Sequence, residues 1–139
     1  MEEAQRLASA LMEAAEYTDH RLPELFCGFS RSDCPEPLPY PTACSPQAWA
    51  ATTPIMVMRS LLRYDAHFSL GGLWIDPVLP ESWGDFHAEN VALGEARFSF
   101  DVSGSRVEVK GLPEDIVLHR GLRPSLSDLA ELDRLRPTE

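Results

Sequence analysis

Glu24 has the surroundings best suited to chemistry in this chain. It stands in Arg21-Leu22-Pro23-Glu24-Leu25-Phe26-Cys27-Gly28-Phe29, a carboxylate among apolar side chains with a guanidinium three residues before it. A carboxylate so placed can take a proton from water, with Arg21 to hold it ionised; an ordinary exposed loop glutamate fits the same residues. A second cluster follows in Tyr40-Pro41-Thr42-Ala43-Cys44-Ser45-Pro46-Gln47-Ala48-Trp49. It brings together the indole of Trp49, the amide of Gln47, which can both donate and accept, and the phenol of Tyr40. Helix–sheet packing for Trp49, capping for Gln47 and turn packing for Tyr40 account for these residues equally simply. Cys27, Cys34 and Cys44 have the spacing C-x6-C-x9-C, which matches neither a disulfide scaffold nor a zinc ribbon. They read as three small buried thiols in a reducing cytoplasm. A Cys27 nucleophile with His20 as its base lacks an orienting third group.

The elements that must position these residues differ in texture. Residues 2–17 read as a helix, with Leu7, Ala8, Leu11, Met12 and Ala15 at helical spacing and Glu2 and Glu3 suited to the first turn. Residues 18–46 hold six of the twelve prolines, Gly28 and all three cysteines. So much proline excludes helix and central strand, and a loop this long inside a compact domain is usually functional. Ser45-Pro46 reads as the start of a second helix, Ser as N-cap and Pro at the first helical position, running to about Tyr64 with a kink or break at Pro54. Ile55, Met56, Val57, Met58, Leu61 and Leu62 make it apolar nearly all round, which predicts burial on most sides.

From Gly71 the hydrophobic period changes to two. Leu73 to Ile75, Phe86 and Ala88, Ala96 to Val102, and Val107 with Val109 read as short antiparallel strands, turning at Gly94-Glu95 and Ser103-Gly104-Ser105. Pro77-Val78-Leu79-Pro80 is an extended connector, and the leucines after Arg120 fit a short surface helix. The expected organisation is a helical part over 1–70 containing the loop 18–46, a β region over 71–119 and a polar tail over 120–139.

Composition removes several functions. The 139 residues carry twelve Lys and Arg against twenty-two Asp and Glu, a net charge of −10 with a pI near 4.8. Nucleic acid and anionic membrane surfaces require a basic patch that this balance does not favour. No apolar run approaches the roughly 20 residues of a membrane span, and the acidic start Met1-Glu2-Glu3 is unlike a secretory signal. The expected location is the cytoplasm.

The segments "RLPELFCGF" and "YPTACSPQAW", followed by "LWIDPVLP" and then strands, resemble the C-terminal part of the amylo-α-1,6-glucosidase (glycogen debranching enzyme-like) family of glycoside hydrolases. The resemblance covers roughly residues 1–110. It implies an α+β fragment: the last helices of an (α/α)6 toroid followed by a small antiparallel sheet. It further implies an inverting mechanism without metal or cofactor on an α-glucan or oligosaccharide. Glu24 would be the general base, and Arg21, Tyr40, Gln47 and Trp49 would line the sugar site. Inversion needs a second carboxyl group about 6.5–9.5 Å from the base, and in this family that acid lies upstream of the matched segment. Asp33 and Glu36 lie in the Pro-rich loop with no apolar run beside them, so a chain supplying the missing helices and acid is the implied partner. A non-enzymatic α+β module that binds carbohydrate or protein is the alternative.

Overall fold

The computed structural model describes residues 2–67, 71–125 and 128. The helices are α1 (Glu2–Glu16), α2 (Ala48–Ala51) and α3 (Thr53–Leu61); the strands are β1 (Asp65–His67), β2 (Gly72–Trp74), β3 (Phe86–Leu93), β4 (Ala96–Ser103), β5 (Arg106–Lys110) and β6 (Val117–His119). The chain divides into two compact units, Met1–Met58 and Arg59–Glu139, the boundary falling inside α3.

In the first unit α1 forms where the sequence predicts it. It buries a narrow seam of small residues, Ala8, Ala14 and Ala15, while Leu7 and Leu11 remain exposed. The core is correspondingly small: Ala14, Ala15, Leu22 and Ala50, with Phe26 against it. The second helix departs from expectation at its start. Ser45 and Pro46 lie in a bend, and Gln47 occupies the N-cap of α2 with extended backbone and no side-chain cap bond. The break at Pro54 is present: α2 stops after one turn at Thr52 and α3 begins at Thr53, because proline has no N–H to give back to the preceding turn. Burial on most sides is not found. Ile55 is 69% and Met56 54% exposed, and only the end of the segment, Leu61 and Leu62, is buried.

The second unit is built from two three-stranded sheets, ordered β1-β2-β6 and β3-β4-β5. β2 runs antiparallel to β1 and parallel to β6, so one sheet is mixed where a single antiparallel sheet is expected. As a central strand it is covered on both faces: Gly72, Leu73 and Trp74 are all buried, and Ile75 directly after them has no exposed surface. Burying an aliphatic side chain fully contributes roughly 1.5–3 kcal/mol, so Leu73 and Ile75 are principal anchors. Trp74 stacks on His119 of β6 with ring centroids 4.6 Å apart.

The β3-β4-β5 meander turns at Gly94 and Gly104, both with positive φ as tight turns require. Phe98, Phe100 and Val102 alternate inward along β4 and join Leu73, Ile75 and Val107 in one core. Arg120 ties the sheets together, donating to Val107 O at 2.6 Å and to Ile75 O at 3.4 Å. The connector 75–80 is held to the end of α3 by Asp76 N on Leu62 O at 3.1 Å and Val78 N on Leu61 O at 2.7 Å.

The toroid-fragment expectation is overturned. The described residues form a small α+β structure in which α1 is the one helix of more than nine residues and two small sheets carry the larger core. A ring of helices needs long apolar faces packed along their length. Here α1 contributes an alanine seam and the second helix is cut by Pro54. No described helix is long and apolar enough to cross a membrane. The expected tail helix falls largely outside the described residues.

Candidate functional site

The Glu24 segment is the outgoing arm of a hairpin-like loop on the first unit. α1 ends with Thr18 Oγ1 donating to the carbonyls of Ala14 and Ala15, both at 3.2 Å, and with Asp19 and His20 in the left-handed region at φ 54° and 60°. His20 N returns to Ala15 O at 2.8 Å. These bonds satisfy carbonyls that a helix end otherwise leaves unpaired, and they turn the chain so that Leu22 enters the core. Glu24 therefore stands between two anchors, Leu22 before it and Phe26 after it.

The two motifs meet through the backbone. Glu24 N donates to Cys44 O at 2.9 Å, Tyr40 N to Leu25 O at 3.0 Å and Cys27 N to Leu38 O at 2.8 Å. Phe26 pairs antiparallel with Pro39. Cys44 N also approaches Glu24 Oε2 at 3.5 Å, a long contact that leaves most of the carboxylate's accepting capacity unused. The hairpin tip is pinned to α1 by Arg31, whose guanidinium meets both oxygens of Glu13 at 2.8 and 2.9 Å. Those hydrogen bonds hold the Glu13 carboxyl below its ordinary value.

The remaining expected residues are placed as follows. Arg21 is exposed and, among the described residues, makes no ion pair with Glu24. Tyr40, 48% exposed, sits beside Leu25, and strand alternation puts both on the face opposite Phe26 and Pro39. Trp49 is 59% exposed in the first turn of α2. Gln47 is half-buried at the N-cap, with its carbonyl accepting from Ala51 N at 2.7 Å. The hairpin thus joins Glu24 to the Tyr40–Trp49 segment by main chain. No side-chain bond links Glu24 to Arg21, Tyr40, Gln47 or Trp49 among the described residues.

Asp33, a carboxylate of the same loop, lies at the tip with Ser30 Oγ donating to it at 2.7 Å, at the far end of the ladder from Glu24. The cysteines differ from the expected buried set: Cys27 and Cys34 are half-buried and Cys44 is exposed. Among the described residues no three His, Cys, Asp or Glu side chains gather as a metal site.

A polar cluster unread in the sequence lies on the second unit. Cross-strand pairing of His87 with Asp101 brings Nδ1 to 2.6 Å from the carboxylate, and Lys110 Nζ lies 3.3 Å from its other oxygen. The hydrogen bond from His87 and then that from Lys110 hold the Asp101 carboxyl below the ordinary range. His87, Asp101, Ser103, Arg106 and Glu108 border a cleft of about 270 Å³. The signal that could have found it is the period of two, which puts one polar side chain of each strand on the outer face.

No protein-family model, curated protein or solved structure matches the chain.

Proposed function

We propose that the Glu24 hairpin carries the general base and sugar platform of an inverting glycoside hydrolase for α-linked glucose, of the amylo-α-1,6-glucosidase type. The observation that supports this reading is the main-chain clasp of Glu24 on Cys44. It joins the carboxylate segment to the segment bearing Gln47 and Trp49. In the reaction, Glu24 accepts a proton from the water that attacks the anomeric carbon, and Trp49 receives the apolar face of the sugar. The acid that protonates the leaving oxygen comes from another chain or segment, since Asp33 is committed to Ser30 at the opposite end of the hairpin. Arg21, exposed at the base of the loop, and Tyr40 take hydroxyl contacts.

α-Glucosyl fluoride tests this reading because fluoride departs with little help from an acid, leaving the base as the required group. The chain releases β-glucose first, read by proton NMR of the nascent product, and maltotriose changes its tryptophan fluorescence in a way that Trp49→Phe abolishes. Release of α-glucose contradicts the inverting assignment.

A second reading, a carbohydrate-binding module without hydrolysis, is favoured by the exposure of Tyr40 and Trp49 and by the commitment of Asp33. It predicts the same fluorescence response with no fluoride release.

A further inference from the structure

The hairpin tip brings together two thiols that the hydrolytic reading does not use. Cys27 ends the outgoing arm and Cys34 closes the turn, where Asp33 N and Cys34 N both donate to Ser30 O, at 3.0 and 2.9 Å. Both cysteines line one cleft of about 180 Å³, together with Phe29, Arg31 and Leu38. Each sulfur rests on a carbonyl of the returning arm: Cys34 Sγ lies 3.2 Å from Glu36 O and Cys27 Sγ 3.9 Å from Pro39 O. A thiol is a weak donor, so these contacts restrain neither sulfur firmly. Between the two cysteines, a Cβ built on Gly28 would meet nothing within 4 Å, so the space beside the outgoing arm is open there. Cys44 is exposed and does not line this cleft.

We propose that Cys27 and Cys34 form a reversible intramolecular disulfide across the cleft, a redox lock on the hairpin tip whose oxidant is a low-molecular-weight disulfide. The bond needs the two Cα atoms within about 7 Å, and the cleft that both cysteines border is where the two sulfurs would meet. One cysteine thiolate attacks a sulfur of oxidised glutathione, breaking its S–S bond and releasing one glutathione thiolate. The second cysteine thiolate attacks the protein sulfur of that mixed disulfide and releases the other glutathione. The protein thiols give up two electrons and two protons, and the two departing glutathiones take them up. The lock is independent of the role assigned to Glu24, and its test involves no carbohydrate.

The test uses Cys44→Ser, which removes the exposed competing thiol, equilibrated with reduced and oxidised glutathione at increasing oxidant fraction. Titratable thiols fall from two to none, and the intact mass drops by about 2 Da through loss of two hydrogens. Trypsin cuts after Arg31, so the oxidised protein yields residues 22–31 and 32–59 as one linked species that reduction separates. Adding Cys34→Ser to this background leaves a stable glutathione adduct on Cys27. Persistent adducts on both cysteines of Cys44→Ser, covalent dimers, or two thiols still free at full oxidant overturn the proposal.

Discussion

The main-chain N–H of Glu24 donates to the carbonyl of Cys44, twenty positions on, at 2.9 Å. The backbone of Glu24 is thereby fixed at the neck of a hairpin and not left on a free segment. Leu22 and Phe26 secure one arm in the core, and the bonds of Tyr40 and Cys27 to the opposite arm hold the ladder. The general base proposed at Glu24 would need such placement, because proton transfer depends on reaching the water at hydrogen-bond distance.

Gly72 is required by Trp74. A Cβ at Gly72 would stand 2.4 Å from two atoms of the Trp74 ring, and that ring is already fixed by stacking on His119. Overpacking of this kind costs about 1–3 kcal/mol. Gly72→Ala lowers the urea midpoint of the second unit accordingly, with near-ultraviolet circular dichroism reporting a displaced tryptophan. An unchanged midpoint would show that the ring moves freely.

Asn90 sits at the irregularity of β3 between Ala88 and Val91, with φ 56°. Asparagine tolerates the left-handed region, whereas a residue with a plain Cβ pays roughly 1–2 kcal/mol there. Asn90→Ala therefore destabilises by about 1 kcal/mol, and Asn90→Gly leaves the thermal midpoint close to that of the parent. Equal destabilisation by both variants would place the cost in the asparagine side chain, not the backbone.

Burial against Trp74 pushes the His119 imidazole below its ordinary value. The unfolded chain therefore binds a proton at a higher pH than the folded one. The contribution of His119 to stability is complete above the ordinary histidine value of about 6.5 and is lost as pH falls from there through the lower folded value. Denaturation midpoints at pH 7.5, 6.5 and 5.5 measure this: the parent weakens across the series more than His119→Phe, which keeps a ring for the stack. Parallel curves would assign the loss to other groups. Asp101, whose carboxyl is also held low, acts only in more acidic solution.

Local patterns were legible where neighbouring residues decide the structure. The apolar spacing of Leu7 to Ala15 marks α1, and the turn residues Gly94 and Gly104 mark the β3-β4-β5 meander. The helix break was likewise legible at Pro54. What escaped depends on partners far away in sequence. β6 becomes a strand because Gly72 to Trp74 supplies a parallel edge 45 residues earlier, with Gly72 opposite Val117. Ser45-Pro46 carries a helix-start signal, but the chain there is held by the clasp of Cys44 on Glu24 and the helix waits until Ala48. At the candidate site the carboxylate and its neighbouring motif could be read, since both are written in residue type. The face taken by Tyr40 could not, because it follows from the Phe26–Pro39 pairing. The toroid failed for the same reason: it is a statement about helix–helix packing that the resemblance implies and the described helices do not make.

The most direct measurement is the initial rate of α-glucosyl fluoride hydrolysis by the chain and by Glu24→Gln, which removes the base while keeping size and the backbone bond to Cys44. Removal of a general base lowers the rate by roughly 10²–10⁴-fold, with maltotriose binding and the denaturation midpoint unchanged. Equal rates for the two proteins would take Glu24 out of the mechanism.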